Sequence, residues 1–234
     1  MSDPILTLYQ GLERLGPGAP EDVAWAAHVA DVPPDARICD AGCGTGADIP
    51  ALMTVAPVGA ITAVDDAKLF VDEVLARFGT RVNAYAGDMA KLKGPYDFIW
   101  SAGAVYFHGV TKVLRAWRPV LAKGGAVAFS EPCLFTDTPS EATLAFWGGY
   151  ERLTDAEGIA RQVADADYEV LATRRVSDAA WAAYYGPLAE RVAALRRNAD
   201  PVLALALDAA ETEIAAWEHV RAETGYLLSV VRPV

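Results

Sequence analysis

Short apolar runs punctuate the first half of the chain at 38–41, 60–65, 82–86, 96–101 and 126–131. Between them lie longer segments, notably 67–78 and 109–122, whose apolar residues recur at helical spacing. Strands alternating with helices of about ten residues or more imply right-handed crossovers and a mostly parallel sheet, hence an α/β fold. Two short helices are expected ahead of this alternation, at 5–15 and 21–31. They are parted by Gly16-Pro17-Gly18-Ala19-Pro20, residues that interrupt regular structure.

After Glu131 the alternation becomes irregular. Thr138-Pro139-Ser140-Glu141 predicts a helix start, with Thr138 as N-cap, proline at the first helical position and Glu141 closing a capping box. A further helix is expected at 155–166 and a sixth strand at 168–176. A helical insert follows. Trp181, Tyr184, Tyr185, Leu188, Val192 and Leu195 share one face, and Asp200-Pro201 caps a second helix with Leu203, Leu207, Ala210, Ile214 and Trp217 on its stripe. These stripes can pack internally or against a second copy, so a homodimer is an open expectation. A last strand at 226–232 makes seven in all. With neither internal repeat nor low-complexity linker, the chain reads as a single domain, 1–234, divided into an N-terminal helical cap (1–35), a core (36–131) and substrate-side helices with the last strands (132–234).

Charge narrows the partners. The 234 residues hold 20 Lys+Arg against 31 Asp+Glu, a formal net charge of −11, which argues against nucleic acid and anionic membrane surfaces. A hydrophobic share of 53% with 22% charged residues is that of a globular chain, and a small molecule is the expected ligand. Three cysteines without repeated spacing form neither a disulfide framework nor a metal pattern. The start, Met1-Ser2-Asp3-Pro4, lacks the basic and apolar stretches of a signal peptide, and no apolar run approaches ~18 residues. A cytoplasmic setting is expected.

Asp40-Ala41-Gly42-Cys43-Gly44-Thr45-Gly46 lies between a strand and a helix. Its glycines permit positive φ and let a ligand approach the main chain, and the loop ends at a helix N-terminus. Alone the motif is ambiguous, because Gly42, Gly44 and Ala47 also satisfy the relaxed dinucleotide fingerprint. The spacing of later acids bears on the choice. Asp65, followed by Asp66, ends the second strand, where nucleotide-binding folds hold ribose hydroxyls. Gly87-Asp88-Met89 follows the third strand, with Asp88 placed for an exocyclic amine and Met89 for an aromatic ring face. Three acids so spaced suit one adenosine bearing an amino-acid tail.

Asp40-x-Gly42-Cys43-Gly44-Thr45-Gly46, Ala63-Val64-Asp65, Gly87-Asp88-Met89 and Tyr96-Asp97-Phe98-Ile99-Trp100-Ser101 together resemble the successive motifs of class I S-adenosylmethionine-dependent methyltransferases. The resemblance implies a Rossmann-like fold with helices on both faces and S-adenosylmethionine as cofactor. It also implies methyl transfer to a small-molecule acceptor, with release of S-adenosylhomocysteine. On it, Asp40, Gly42, Cys43 and Gly44 line the methionine portion, Asp65 with Asp66 takes the ribose, Asp88 and Met89 hold adenine, and the Ser101 backbone meets the methionine amine. Arg14-x-Gly16-Pro17-Gly18, Gly103-Ala104-x-Tyr106, Lys123-Gly124-Gly125 and the helical tail are similar to a bacterial subgroup of ubiquinone-biosynthesis type. Ala102 departs from the acidic residue expected after Trp100-Ser101, so no general base carries over to that position.

Tyr106, His108 and Glu131 follow strand ends that face the ligand crevice, and are the candidate catalytic groups. Cys39, Cys43 and Cys133 read as inert, and His28 and His219 as structural. Trp147, Tyr184 and Tyr185, with Tyr150 and Trp181, are either core residues or the roof of a substrate pocket that excludes water. Two other classes stay open at this point. They are a nicotinamide-dependent oxidoreductase, which requires a second nucleotide half, and a non-catalytic binding protein for an adenosyl ligand.

Overall fold

The computed structural model describes residues 3–148 and 150–234; Met1 and Ser2, part of the start read for a signal peptide, lie outside the described residues. β1 (Arg37–Ala41), β2 (Ala60–Asp65), β3 (Val82–Ala86), β4 (Tyr96–Ser101) and β5 (Leu121–Leu134) form a parallel array in the order β3-β2-β1-β4-β5. β6 (Thr154–Asp155) is a two-residue strand beside the end of β5. β7 (Tyr168–Arg175) and β8 (Thr224–Pro233) complete the sheet, β8 running antiparallel between β5 and β7. The seven expected strands form one continuous path, and β6 is an addition too short to leave an apolar pattern.

The helices are α1 (Pro4–Tyr9), α2 (Pro20–Val29), α3 (Ile49–Val55), α4 (Lys68–Phe78), α5 (Val110–Trp117), α6 (Glu141–Phe146), α7 (Ala156–Ala164), α8 (Asp178–Arg196) and α9 (Pro201–Val220). Neighbouring strand residues point to opposite faces, and here both faces are buried, which is why the strands read as near-continuous apolar runs. Ile38, Phe98, Trp100 and Ala128 pack with Trp181, Leu188, Leu207 and Trp217 on one side. Cys39, Ile99, Val127 and Phe129 pack with Val113, Trp117 and Ile159 on the other. The stripes of α8 and α9 are thus buried within the chain, Leu188 and Leu207 completely.

Four local expectations change. The first helix ends at Tyr9 instead of residue 15, because Gly11 takes φ +80° and turns the chain away. The helix expected over 109–122 stops at Trp117. Pro119 has no amide to donate, and Arg118–Val120 tightens into a 3-10 turn. β5 extends beyond 126–131 at both ends, because Leu121 pairs with Tyr96 of β4 at its start and β8 pairs along it as far as Leu134 at its end. α6 is capped by Ser140, not Thr138. The Ser140 hydroxyl accepts the Thr143 amide, and Glu223 accepts both the Ser140 amide and its hydroxyl.

Candidate active site

Strand order reverses between β1 and β4, and in open α/β sheets the crevice beyond the strand ends at such a point is where ligands bind. The loop leaving β1 is folded back by the Gly42 and Cys43 amides, which both donate to the Val64 carbonyl at 2.8 and 3.0 Å. Gly42 has φ +78°, and a Cβ there would stand 2.4 Å from that of Ala104, so only glycine fits. The Gly44 amide donates to Asp65 Oδ2 and the Ala67 amide to Asp65 Oδ1, each at 2.9 Å. Burial nevertheless raises the Asp65 carboxyl above its ordinary range, these two amides opposing it.

Asp40 is more extreme. It is 3% exposed, and among the described residues no hydrogen bond reaches its carboxylate. Burial first, then Asp48 and Asp65, push its pKa well up, with only Arg14 opposing. Asp48 is itself satisfied by Arg14 and by Trp100 Nε1 at 2.9 Å. A cleft of about 400 Å³ opens here, lined by Asp40, Gly42, Cys43, Gly44, Asp65 and Asp66 among others. Four acids line the cleft, Asp40, Asp48, Asp65 and Asp66, and Asp40 among them accepts no hydrogen bond from the described residues, which fits a ligand that brings cationic groups and hydroxyls.

The remaining candidates lie at its margin. Ser101 is fully buried and donates its hydroxyl to the Ala41 carbonyl at 2.7 Å, locking β4 to β1. Met89 is buried beside Gly42, and its carbonyl accepts Trp117 Nε1 at 2.7 Å. Asp88 caps a 3-10 turn through the Ala90 amide, which with Lys91 and His108 holds its carboxyl below the usual range. His108 Nε2 stands 3.4 Å from Asp88 Oδ1, so the structure groups His108 with Asp88 and not with Glu131. The three cysteines are free and buried, and burial raises each thiol pKa.

A second cavity of about 400 Å³ adjoins the cleft. Tyr9, Leu15, Gly16, Pro17, Gly103 and Tyr106 line both spaces and form their common boundary. Its wall is aromatic. α6 and the turn after it bring Phe146, Trp147 and Tyr150, α8 brings Trp181 and Tyr184, and β8 brings Tyr226. The wall is tightly built: Trp181 stacks on Trp217 with centroids 3.8 Å apart, and the Tyr9 and Tyr184 hydroxyls meet at 3.0 Å. Trp147 and Tyr184 therefore line the chamber, whereas Tyr185 stands behind it, donating its hydroxyl to Glu213 Oε1 at 3.0 Å.

Glu213 is the one acid in that wall among the described residues. Its surface is accessible, but it faces the chamber, and surrounding protein raises its carboxyl pKa by desolvation. Glu131 is 2% exposed, with its pKa pushed up to about 7 by burial against opposing contributions from Tyr150 and Arg152. Tyr150, in the chamber wall, donates to Glu131 Oε1, while Oε2 has no partner among the described residues. Tyr106 is pushed up to about 12, chiefly by burial, and its phenol is neutral at physiological pH. Tyr9, Tyr226 and Glu213 were not marked by sequence pattern. An acid three residues after Ala210 and four before Trp217, beside the apolar stripe of α9, is the one signal that could have found Glu213.

The family model described as a methyltransferase domain matches residues 38–125. Among curated proteins no sequence match is found. A methyltransferase of Geobacter sulfurreducens, solved with S-adenosyl-L-homocysteine, superposes with TM-score 0.83 at 18% identity, covering 100% of this chain and 99% of that one. One from Thiobacillus denitrificans, also solved with S-adenosyl-L-homocysteine, gives the same TM-score of 0.83 at 18% identity, with 100% and 99% covered. The cyclase SpnF superposes with TM-score 0.74 at 19% identity over 98% of this chain and 91% of its own, so the fold serves more than one reaction. Residues 38–125 thus match a methyltransferase-domain model, and the chain from end to end has the fold of the S-adenosylmethionine-dependent methyltransferases on which it superposes.

Proposed function

We propose that this protein transfers the methyl group of S-adenosylmethionine to a small-molecule acceptor and releases S-adenosylhomocysteine. The observation that carries the reading is the shared boundary. An acid-lined cleft at the strand-order reversal meets an aromatic chamber across Gly103 and Tyr106. In this reading Asp40, Gly42, Cys43, Gly44, Asp65 and Asp66 hold the cofactor, with Asp88, Met89 and Ser101 supporting its adenine and methionine ends. When bound, the cofactor supplies a methyl group on a cationic sulfur. Asp40, buried and unpartnered, suits positive charge at that place. A dinucleotide would bring its anionic pyrophosphate against Asp40, Asp65 and Asp66, which disfavours the nicotinamide reading.

The single domain divides accordingly, with 36–131 as the cofactor core and the flanking helices as the chamber. The chain's own contribution to rate is alignment and exclusion of water by the aromatic wall, with Tyr106 placed to position the acceptor at the boundary. His108 steadies Asp88 at the far margin. Among the described residues no helix is long and apolar enough to cross a membrane. A cytoplasmic setting, in keeping with three free thiols, belongs to this proposal. Isothermal titration decides the matter: S-adenosylhomocysteine binds and NAD does not. Tight NAD binding, or none by S-adenosylhomocysteine, overturns the reading.

A further inference from the structure

The chamber holds an acid and no cation among its described lining residues. Glu213 stands in its wall, and Glu131 lies directly behind Tyr150 with one carboxylate oxygen buried and unpartnered. Arg152 reaches the Tyr106 carbonyl at 2.7 Å but does so from the exposed side, outside the cavity. We propose that the methyl acceptor is a small organic amine, which enters the chamber as its cation and is held by Glu213 among the faces of Tyr9, Tyr106, Trp147, Trp181 and Tyr184. This rests on the cofactor reading above and assigns its substrate class.

Three features favour an amine over other acceptors. A carboxylate or phosphate would be brought into a space whose one charged lining residue among those described is the acid Glu213, a repulsive arrangement. A neutral phenol or alcohol forms no ion pair with Glu213, whose carboxylate already accepts the Tyr185 hydroxyl. An ammonium answers each feature, because aromatic faces attract a cation within about 6 Å of the ring centroid and its positive charge pairs with Glu213.

The chemistry then needs one proton moved. The ammonium gives a proton to Glu213, the acid in the chamber wall. The freed nitrogen lone pair forms the N–C bond as the C–S bond breaks, and the electron pair of that bond stays on sulfur. The proton leaves to water afterwards. Charge balances, since the positive charge lost from sulfur is matched by the proton released.

Tryptophan fluorescence offers a direct test, because Trp147 and Trp181 line the chamber. The full-length protein is titrated, with S-adenosylhomocysteine present, with three molecules of nearly one shape: dimethylethanolamine, isoamyl alcohol and isovalerate. The expected result at neutral pH is that the protonated amine binds at least about tenfold more tightly than the alcohol, and isovalerate weakest. Glu213→Gln, which still accepts from Tyr185, lowers amine affinity to that of the alcohol and leaves S-adenosylhomocysteine affinity unchanged. Equal or tighter binding of the alcohol or of isovalerate by the unmodified protein overturns the proposal, as does S-adenosylhomocysteine binding with no response to the amine. Persistence of the amine preference in Glu213→Gln overturns the role of that residue. Failure of S-adenosylhomocysteine itself to bind removes the cofactor reading, and the acceptor proposal with it.

Discussion

Asp65, the last residue of β2, accepts the Gly44 amide at 2.9 Å, so an acid on one strand sets the conformation of the loop leaving its neighbour. The same carboxylate accepts the Ala67 amide, and its remaining lone pairs face the cleft. Asp65→Ala therefore removes a ligand acceptor and unties the loop together. Hydrogen bonds to a charged group are worth about 1.5–3 kcal/mol, so S-adenosylhomocysteine affinity should fall roughly 10- to 100-fold by isothermal titration. Asp65→Asn keeps one acceptor oxygen and should lie between. A variant that binds like the parent refutes the assignment.

What the sequence revealed and concealed follows from how far each signal travels along the chain. β2, β3 and β4 begin and end where their apolar runs do: β4 is buried on both faces, and β3, though an edge strand with Asn83 exposed, is bounded by polar turns at each end. The glycine loop and Asp65 were equally legible, being one strand apart in a fixed topology. α1 was overextended because Leu12 and Leu15 keep helical spacing past Gly11, whose positive φ leaves no trace in periodicity. Glu213 stayed hidden for a different reason. An acid on an amphipathic helix reads as solvated, and only the packing of α9 against α8 and α6 turns it toward a chamber. His108 follows β4 by way of a 3-10 turn at Val105–Phe107, and which acid it meets depends on tertiary geometry.

Arg14 and Trp100 converge on Asp48, one from the segment after α1 and one from β4. Thr45 adds a hydroxyl bond to the Glu13 carbonyl at 2.7 Å, so the segment is pinned over the glycine loop and its residues 15–17 wall both cavities. Asp48→Ala strands a nearly buried guanidinium and an indole N–H. Breaking one side of such a pair costs about 3–5 kcal/mol, to be read as a lower urea midpoint. Hydrogen exchange should rise at residues 4–17 more than in the sheet. Uniform loss of protection across the chain contradicts the tether.

Gly42→Ala tests the loop from the backbone side. The residue sits at φ +78° and its new Cβ would fall 2.4 Å from the Ala104 Cβ. Left-handed conformation and overlap together should cost about 1–3 kcal/mol of stability. Because the loop must shift to relieve the overlap, S-adenosylhomocysteine affinity should weaken as well, which calorimetry measures in the same sample.

Glu131 makes stability depend on pH in a definite direction. Its carboxyl is 2% exposed and burial raises its pKa from 4.5 to about 7. Below the unfolded value the residue is neutral in both states, and its contribution to stability is full. As pH rises toward 7 the unfolded chain releases this proton while the folded one retains it, so stability falls, and the loss levels off once the folded carboxyl has ionised too. At ~1.4 kcal/mol per unit the whole effect is about 3 kcal/mol. Glu131→Gln keeps an acceptor for Tyr150 without the titration. Denaturant unfolding should find it close to the parent at pH 4.5 and more stable by up to about 3 kcal/mol at pH 8. An advantage of equal size at both pH values would show that the change acts through packing and not through the proton. An amine cation bound in the chamber, across Tyr150 from Glu131, should shrink the gap at pH 8, because a nearby positive charge stabilises the ionised carboxylate in the folded state.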